Sequence, residues 1–164
     1  MWPAIAILIF VTLQRLAELV HAKRNTRALL ARGGREIGAA HYPYMVAMHS
    51  AWLIGLWIFA YGQPVNILWF AVFMLLQLLR VWVLVTLGGR WTTRIIVLPH
   101  APRIVSGPYR FLSHPNYVIV IGEIAALPLA FGLPWFALAF SIFNAAMLTV
   151  RIRSENRALR EAML

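Results

Sequence analysis

The sequence predicts an all-α integral membrane protein with five transmembrane helices, the last two paired as a tight hairpin. Three observations carry this. The chain is 62% hydrophobic over 164 residues, where soluble domains are usually near half apolar. Its apolar residues gather in four long runs, and the last is about twice the roughly 20 residues that a helix needs to cross a bilayer. Its cations fall almost entirely between alternate runs.

Taken in order, the first span covers 2–20 and ends before a basic connection containing Lys23, Arg24, Arg27, Arg32 and Arg35. It has no basic start and no small-residue cleavage site, so it is expected to stay as a helix rather than act as a signal peptide. The second span, 44–61, and the third, 65–87, are separated only by Gly62, Gln63 and Pro64. A long connection with Arg90, Arg94, Arg103 and Arg110 comes next. The final run is broken by Phe131, Gly132, Leu133 and Pro134, a turn signal, which gives spans 117–131 and 134–150. The tail carries Arg151, Arg153, Arg157 and Arg160. One domain, 1–164, accommodates all of this.

Thirteen of the 15 cations thus lie on one side of a five-span chain. By the positive-inside rule that side is cytoplasmic, with the amino terminus outside and the carboxyl terminus inside the cell inner membrane. The net charge of +10 is then a signal of topology and contact with membrane lipids, not of nucleic-acid binding. With no Cys and no Asp, disulfides and thiolate metal sites are excluded, and no metal is expected. The two outer connections are short. The inner ones, 22–43 and 88–116, are long, and long connections in a small domain are usually functional or disordered.

Ionisable residues inside spans are costly and are candidates for function. Arg15 and Glu18 are three apart and can pair near the inner end of span one. Gln77 and Arg80 share a face of span three. His49 is either a packing partner or a site residue. Glu123 lies six residues past Tyr117, about 9 Å deep at helical rise. Asn116, Val120 and Glu123 share a face, as do Asn144, Leu148, Arg151 and Glu155. Because the last turn is tight, the two polar stripes are expected to converge, with Glu123 facing Arg151 and His114. The bland alternative is a buried network that only locks the hairpin.

The stretch "GPYRFLSHPNY" (Gly107 to Tyr117), the glutamate six residues on, the hairpin, and "RIRSENRAL" (Arg151 to Leu159) resemble the isoprenylcysteine carboxyl methyltransferase family, and most closely its small prokaryotic members. The likeness covers about Leu87 to Leu159. It implies an integral-membrane enzyme that uses S-adenosylmethionine, releases S-adenosylhomocysteine, and methylates a carboxylate or hydroxyl of a lipophilic small-molecule or lipid acceptor from the cytoplasmic side. It implies a catalytic group of Glu123, Arg151 and Glu155. The cofactor-binding group it implies is His100, Tyr109, Arg110, His114, Pro115, Asn116 and Tyr117 in and after the second cytoplasmic loop.

The residues suit that chemistry. No G-x-G-x-x-G occurs, so the cofactor must sit among the spans rather than in a Rossmann fold. Its sulfonium suits the faces of Tyr109, Tyr117 or Trp91, and its carboxylate suits Arg110 or His114. A carboxylate acceptor needs no base, and Arg151 would steer it. A hydroxyl acceptor needs one, with Glu123 or His114 as candidates. The lipid tail is expected to enter past spans three and four. Two departures stand out. Ser113 takes the place of an arginine before His-Pro, for which Arg110 or Arg94 could substitute, and Glu155-Asn156 stands where a glutamate pair is usual. They support the competing reading, a non-catalytic scaffold or lipid-binding protein that keeps the fold. A small transporter is a third class, weakened by the absence of inverted repeats.

Overall fold

Proline starts the last two helices and glycine joins them. A proline at the first helical position costs no backbone bond and presets φ, and both α4 (Pro115–Ala130) and α5 (Pro134–Glu161) begin on one. Gly132 supplies the left-handed residue between them, at φ +69°. The turn closes through Gly132 N–H to Leu129 O at 3.1 Å and Leu133 N–H to Pro128 O at 3.0 Å. The computed structural model describes residues 2–161; the expected domain limits of 1 and 164 lie outside the described residues. The chain is mostly helical, at 77%. The other helices are α1 (Trp2–Ala31), α2 (Tyr42–Phe59) and α3 (Ile67–Leu87). The Asn66 side chain caps α3 by accepting from Trp69 N–H at 3.2 Å.

Two strands, β1 (Arg35–Ile37) and β2 (Ile95–Val97), pair antiparallel with Glu36 opposite Ile96. The all-α expectation is corrected to this extent. The short sheet ties the two long connections together at one end of the bundle.

Three helical stretches, Trp2–Ala31, Ile67–Arg90 and Pro134–Ala158, are long and apolar enough to cross a membrane. At 18 and 16 residues, α2 and α4 are shorter. Exposed apolar side chains such as Leu13, Ile58, Leu68, Leu78, Val85 and Phe143 cover the outer faces, the pattern of helices solvated by hydrocarbon. In lipid the hydrophobic drive between helices is weak, and close packing takes its place. The contacts are most extensive between α3 and α4 and between α4 and α5. Glycines allow two of the approaches. A Cβ on Gly122 would meet Leu76 Cδ1 at 2.8 Å, and one on Gly55 would meet the Phe136 ring at 2.6 Å.

Two helices run farther than the expected spans. Beyond residue 20, α1 continues because its last turns pack on the end of α3. Asn25, buried there, donates to Trp91 O at 2.8 Å and Gly88 O at 3.1 Å. Ala22 joins Val83, Trp91 and Ile119 in a small core. Beyond residue 150, α5 carries the basic tail as helix.

Candidate functional site

At the basic end of the bundle the middle of α1, the starts of α2 and α4, the end of α3 and the middle of α5 surround a cavity of about 270 Å³. Its upper edge is Trp91, Thr92 and Thr93, the residues the small sheet holds in place. Apolar side chains of α1, α2 and α5 make most of its sides. Leu16, Leu19 and Val46 line it while remaining exposed on the outer surface, so its open side lies between α1 and α2.

The floor is a closed charge cluster. Glu123 is 1% exposed. Its Oε1 accepts from Gln77 Nε2 and Arg80 Nε, both at 2.7 Å. Its Oε2 accepts from Arg15 Nη2 at 2.8 Å and from Arg80 Nη2. Glu18 accepts from Gln14 at 3.0 Å, Arg15 at 3.0 Å and Arg80 at 3.3 Å. Two guanidinium groups and two carboxylates therefore neutralise one another across α1, α3 and α4. A carboxylate offers about four acceptor directions, and Glu123 has filled all of its own.

The wall is open by comparison. Arg151 donates from Nη2 to Thr93 O at 3.0 Å, and its guanidinium lies 5.8 Å from the Tyr117 ring centroid. Its Nε, Trp91 Nε1, Asn116 Oδ1 and Asn144 Oδ1 are buried without protein partners. All four residues line the cavity. Unpaired buried polar atoms are rare in native proteins and call for an occupant such as a ligand or water. Behind this wall Tyr117 donates its hydroxyl to Glu155 Oε2 at 2.7 Å. His114 stacks on Tyr117 with ring centroids 5.3 Å apart, and its Nδ1 lies 3.7 Å from Glu155.

Of the residues singled out from sequence, Glu123, Arg151, Asn116 and Tyr117 meet at the cavity. Glu155, His114 and Pro115 form the layer behind it. The other three lie apart. His100 is exposed in a left-handed turn after β2, at φ +59°. Tyr109 packs against the small core of Trp91 and Ile119. Burial first, and then the Glu155 charge, push its hydroxyl up to about 12, so it stays protonated. Arg110 is exposed and, with Tyr109, lines a separate recess of about 250 Å³.

Three expectations are corrected. Glu123 faces Arg15 and Arg80, not Arg151 and His114. Neither Arg110 nor Arg94 stands in for the arginine that Ser113 lacks: Arg94 is paired with Glu36 at 2.6 Å, and neither lines the cavity. Spans three and four are the most closely packed pair, so they do not form the opening.

Sequence reasoning gives Arg15 a local pair with Glu18, and the pair exists. It misses the bond to Glu123 because that partner lies 108 residues away. His49 and Asn144, polar residues within spans, both face the cavity. The arrangement can hold a ligand with both donors and acceptors, place cations around an anionic group, and exclude bulk water.

A model of the isoprenylcysteine carboxyl methyltransferase family matches residues 68–161. The uncharacterized protein YpbQ of Bacillus subtilis (strain 168) is 39% identical, over 98% of this chain and 96% of that protein. An uncharacterized protein of Haemophilus influenzae (strain ATCC 51907 / DSM 11121 / KW20 / Rd) is 28% identical over 83% of each chain. No solved structure matches.

Proposed function

The chain belongs to the isoprenylcysteine carboxyl methyltransferase family, and from that premise we propose that it transfers a methyl group from S-adenosylmethionine to a carboxylate or hydroxyl of a lipophilic acceptor. The single observation that carries this is the cavity wall, where Arg151 Nε, Trp91 Nε1, Asn116 Oδ1 and Asn144 Oδ1 offer two donors and two acceptors that the protein leaves unpaired. A zwitterionic amino-acid end suits that set. Its carboxylate would take the Arg151 guanidinium through charge-assisted bonds, and its ammonium the asparagine oxygens. When bound, the cofactor supplies an electrophilic methyl on a sulfonium, whose sulfur leaves with the C–S electron pair.

The chain's own residues do the rest. Tyr117 and Trp91 present aromatic faces to a cation. Glu155 fixes Tyr117 through the 2.7 Å bond and with His114 and Pro115 positions the start of α4, so these three are positioning residues. Glu123 holds Arg15 and Arg80 toward the cavity, where they stabilise negative charge on an acceptor. The lipid tail would leave between α1 and α2, past Leu16, Leu19 and Val46. At about 270 Å³ the cavity is just below the usual range of ligand pockets, roughly 300–1,000 Å³, so a long lipid tail would have to stay outside it.

In this reading all five helices cross the inner membrane, α2 and α4 with the help of their neighbours. The amino terminus is outside, the basic end of the bundle is cytoplasmic, and the whole chain is one domain. The test is calorimetric titration of S-adenosylhomocysteine into detergent-purified protein and its Arg151→Ala variant. Binding in the wild type that weakens in the variant supports the reading. A monodisperse wild type that binds nothing overturns it.

A further inference from the structure

We infer that His49 is the proton acceptor for the reaction and that the acceptor is therefore a phenolic or enolic hydroxyl rather than a carboxylic acid. The methyl transfer that succeeds loss of the proton rests on the methyltransferase reading; the proton transfer itself does not.

His49 sits in the second turn of α2 and forms part of the cavity wall. Its Nδ1 lies 2.9 Å from Met45 O. A carbonyl oxygen can only accept, so Nδ1 must carry the hydrogen. In the neutral ring the lone pair is then on Nε2, and among the described residues no protein group engages it. The other bases near the cavity are occupied or displaced. Glu123 accepts four hydrogen bonds, and Glu18 accepts from Gln14, Arg15 and Arg80. His114 and Glu155 lie behind Tyr117 and do not line the cavity. Of the described ionisable residues on the wall, His49 alone keeps a basic atom available.

The charges around it match the task. Arg15 from α1, Arg80 from α3 and Arg151 from α5 all line the same cavity as His49. Glu18 and Glu123 are paired with Arg15 and Arg80, which leaves Arg151 as the net positive charge on the cavity. An oxyanion forming beside His49 would meet that preorganised charge. A carboxylic acid arrives ionised near neutral pH and has no use for a base. A hydroxyl needs one. The proton moves from the hydroxyl oxygen to His49 Nε2, the O–H pair stays on oxygen as the nucleophile, and the imidazolium later returns its proton to solvent.

The experiment uses a long-chain 4-alkyl-2-nitrophenol, whose phenolate is coloured, bound to detergent-purified protein without cofactor. In the wild type the bound probe should ionise below the midpoint of the free probe. His49→Gln should still bind it but raise that midpoint by about one pH unit or more. With cofactor present, the variant should methylate the probe about 100-fold more slowly while binding S-adenosylhomocysteine as the wild type does. An unchanged midpoint and an unchanged rate in the variant overturn the inference and leave the methyltransferase reading intact. Faster methylation of an S-farnesylcysteine carboxylate, indifferent to the substitution, overturns it too. If the wild type binds no S-adenosylhomocysteine yet ionises the probe through His49, the inference stands and the methyltransferase reading falls. Should His49→Gln fail to fold, the wild-type titration decides, since a probe that binds as the neutral phenol overturns the inference by itself.

Discussion

Floor and wall of the cavity use similar side chains to opposite ends. In the floor, Glu123 accepts four hydrogen bonds and Glu18 three, and both are paired with Arg15 and Arg80. Along the wall, Arg151, Trp91, Asn116 and Asn144 each keep a buried polar atom without a protein partner. A saturated network in low dielectric rigidifies, and an unsaturated one costs stability unless something fills it. On the proposed function, the floor belongs to folding and to the orientation of Arg15 and Arg80, and the wall to binding.

The sharpest way to break that division is Glu123→Gln. Removing one partner of a buried ion cluster leaves the others uncompensated, typically at about 3–5 kcal/mol. The expected result is a large fall in thermal stability, with S-adenosylhomocysteine affinity kept by whatever protein remains folded. A variant as stable as wild type that cannot bind would move Glu123 from the floor to the wall. Arg151→Ala should do the reverse. Losing a charge-assisted hydrogen bond of about 1.5–3 kcal/mol predicts roughly 10- to 100-fold weaker S-adenosylhomocysteine binding by calorimetry, with little change in melting temperature. Asn144→Leu sharpens the contrast further. The asparagine is 1% exposed with an unpaired Oδ1, so an apolar side chain of similar size should leave the melting temperature unchanged or raise it. Binding should weaken several-fold, in line with a net hydrogen bond near 1 kcal/mol. A fall in both would mean that Asn144 is a structural residue.

The wall was more legible in the sequence than the floor, for a physical reason. Asn116 and Glu123, and Asn144 and Arg151, fall on shared helix faces by spacing alone. Gly132 and Pro134 announced that those two helices are neighbours. The floor depends on α1 meeting α3 and α4, and no local pattern encodes which face of a lipid-covered helix turns inward. Arg15 has a satisfying partner three residues away in Glu18, and that pair conceals its second partner, Glu123. Helix spacing marks Glu123 but points it toward Arg151 and His114, whereas its partners are Arg15, Gln77 and Arg80. Strands of three residues are too short to show periodicity, so β1 and β2 were invisible. The extension of α1 past residue 20 was masked by its cations, which are good helix formers even where they end an apolar run.

Outside the cavity, Arg94 marks how far the contrast reaches. It bonds Glu36 at 2.6 Å, and its guanidinium lies 4.1 Å from the Tyr42 ring centroid. Through these contacts it links the two connections that the small sheet joins and the start of α2. Yet its side chain is 38% exposed, and ion pairs at such positions contribute at most about 1 kcal/mol. Arg94→Ala should lower the melting temperature slightly in dilute buffer and hardly at all near 1 M salt, where the Debye length is about 3 Å. Any effect on ligand binding must travel through Tyr42 and Thr93, which share a hydrogen bond at 3.0 Å and both line the cavity. A small loss of S-adenosylhomocysteine affinity that salt abolishes together with the stability loss would place Arg94 in the frame that holds the cavity's edge. A large loss that persists in high salt would instead make Arg94 a ligand contact.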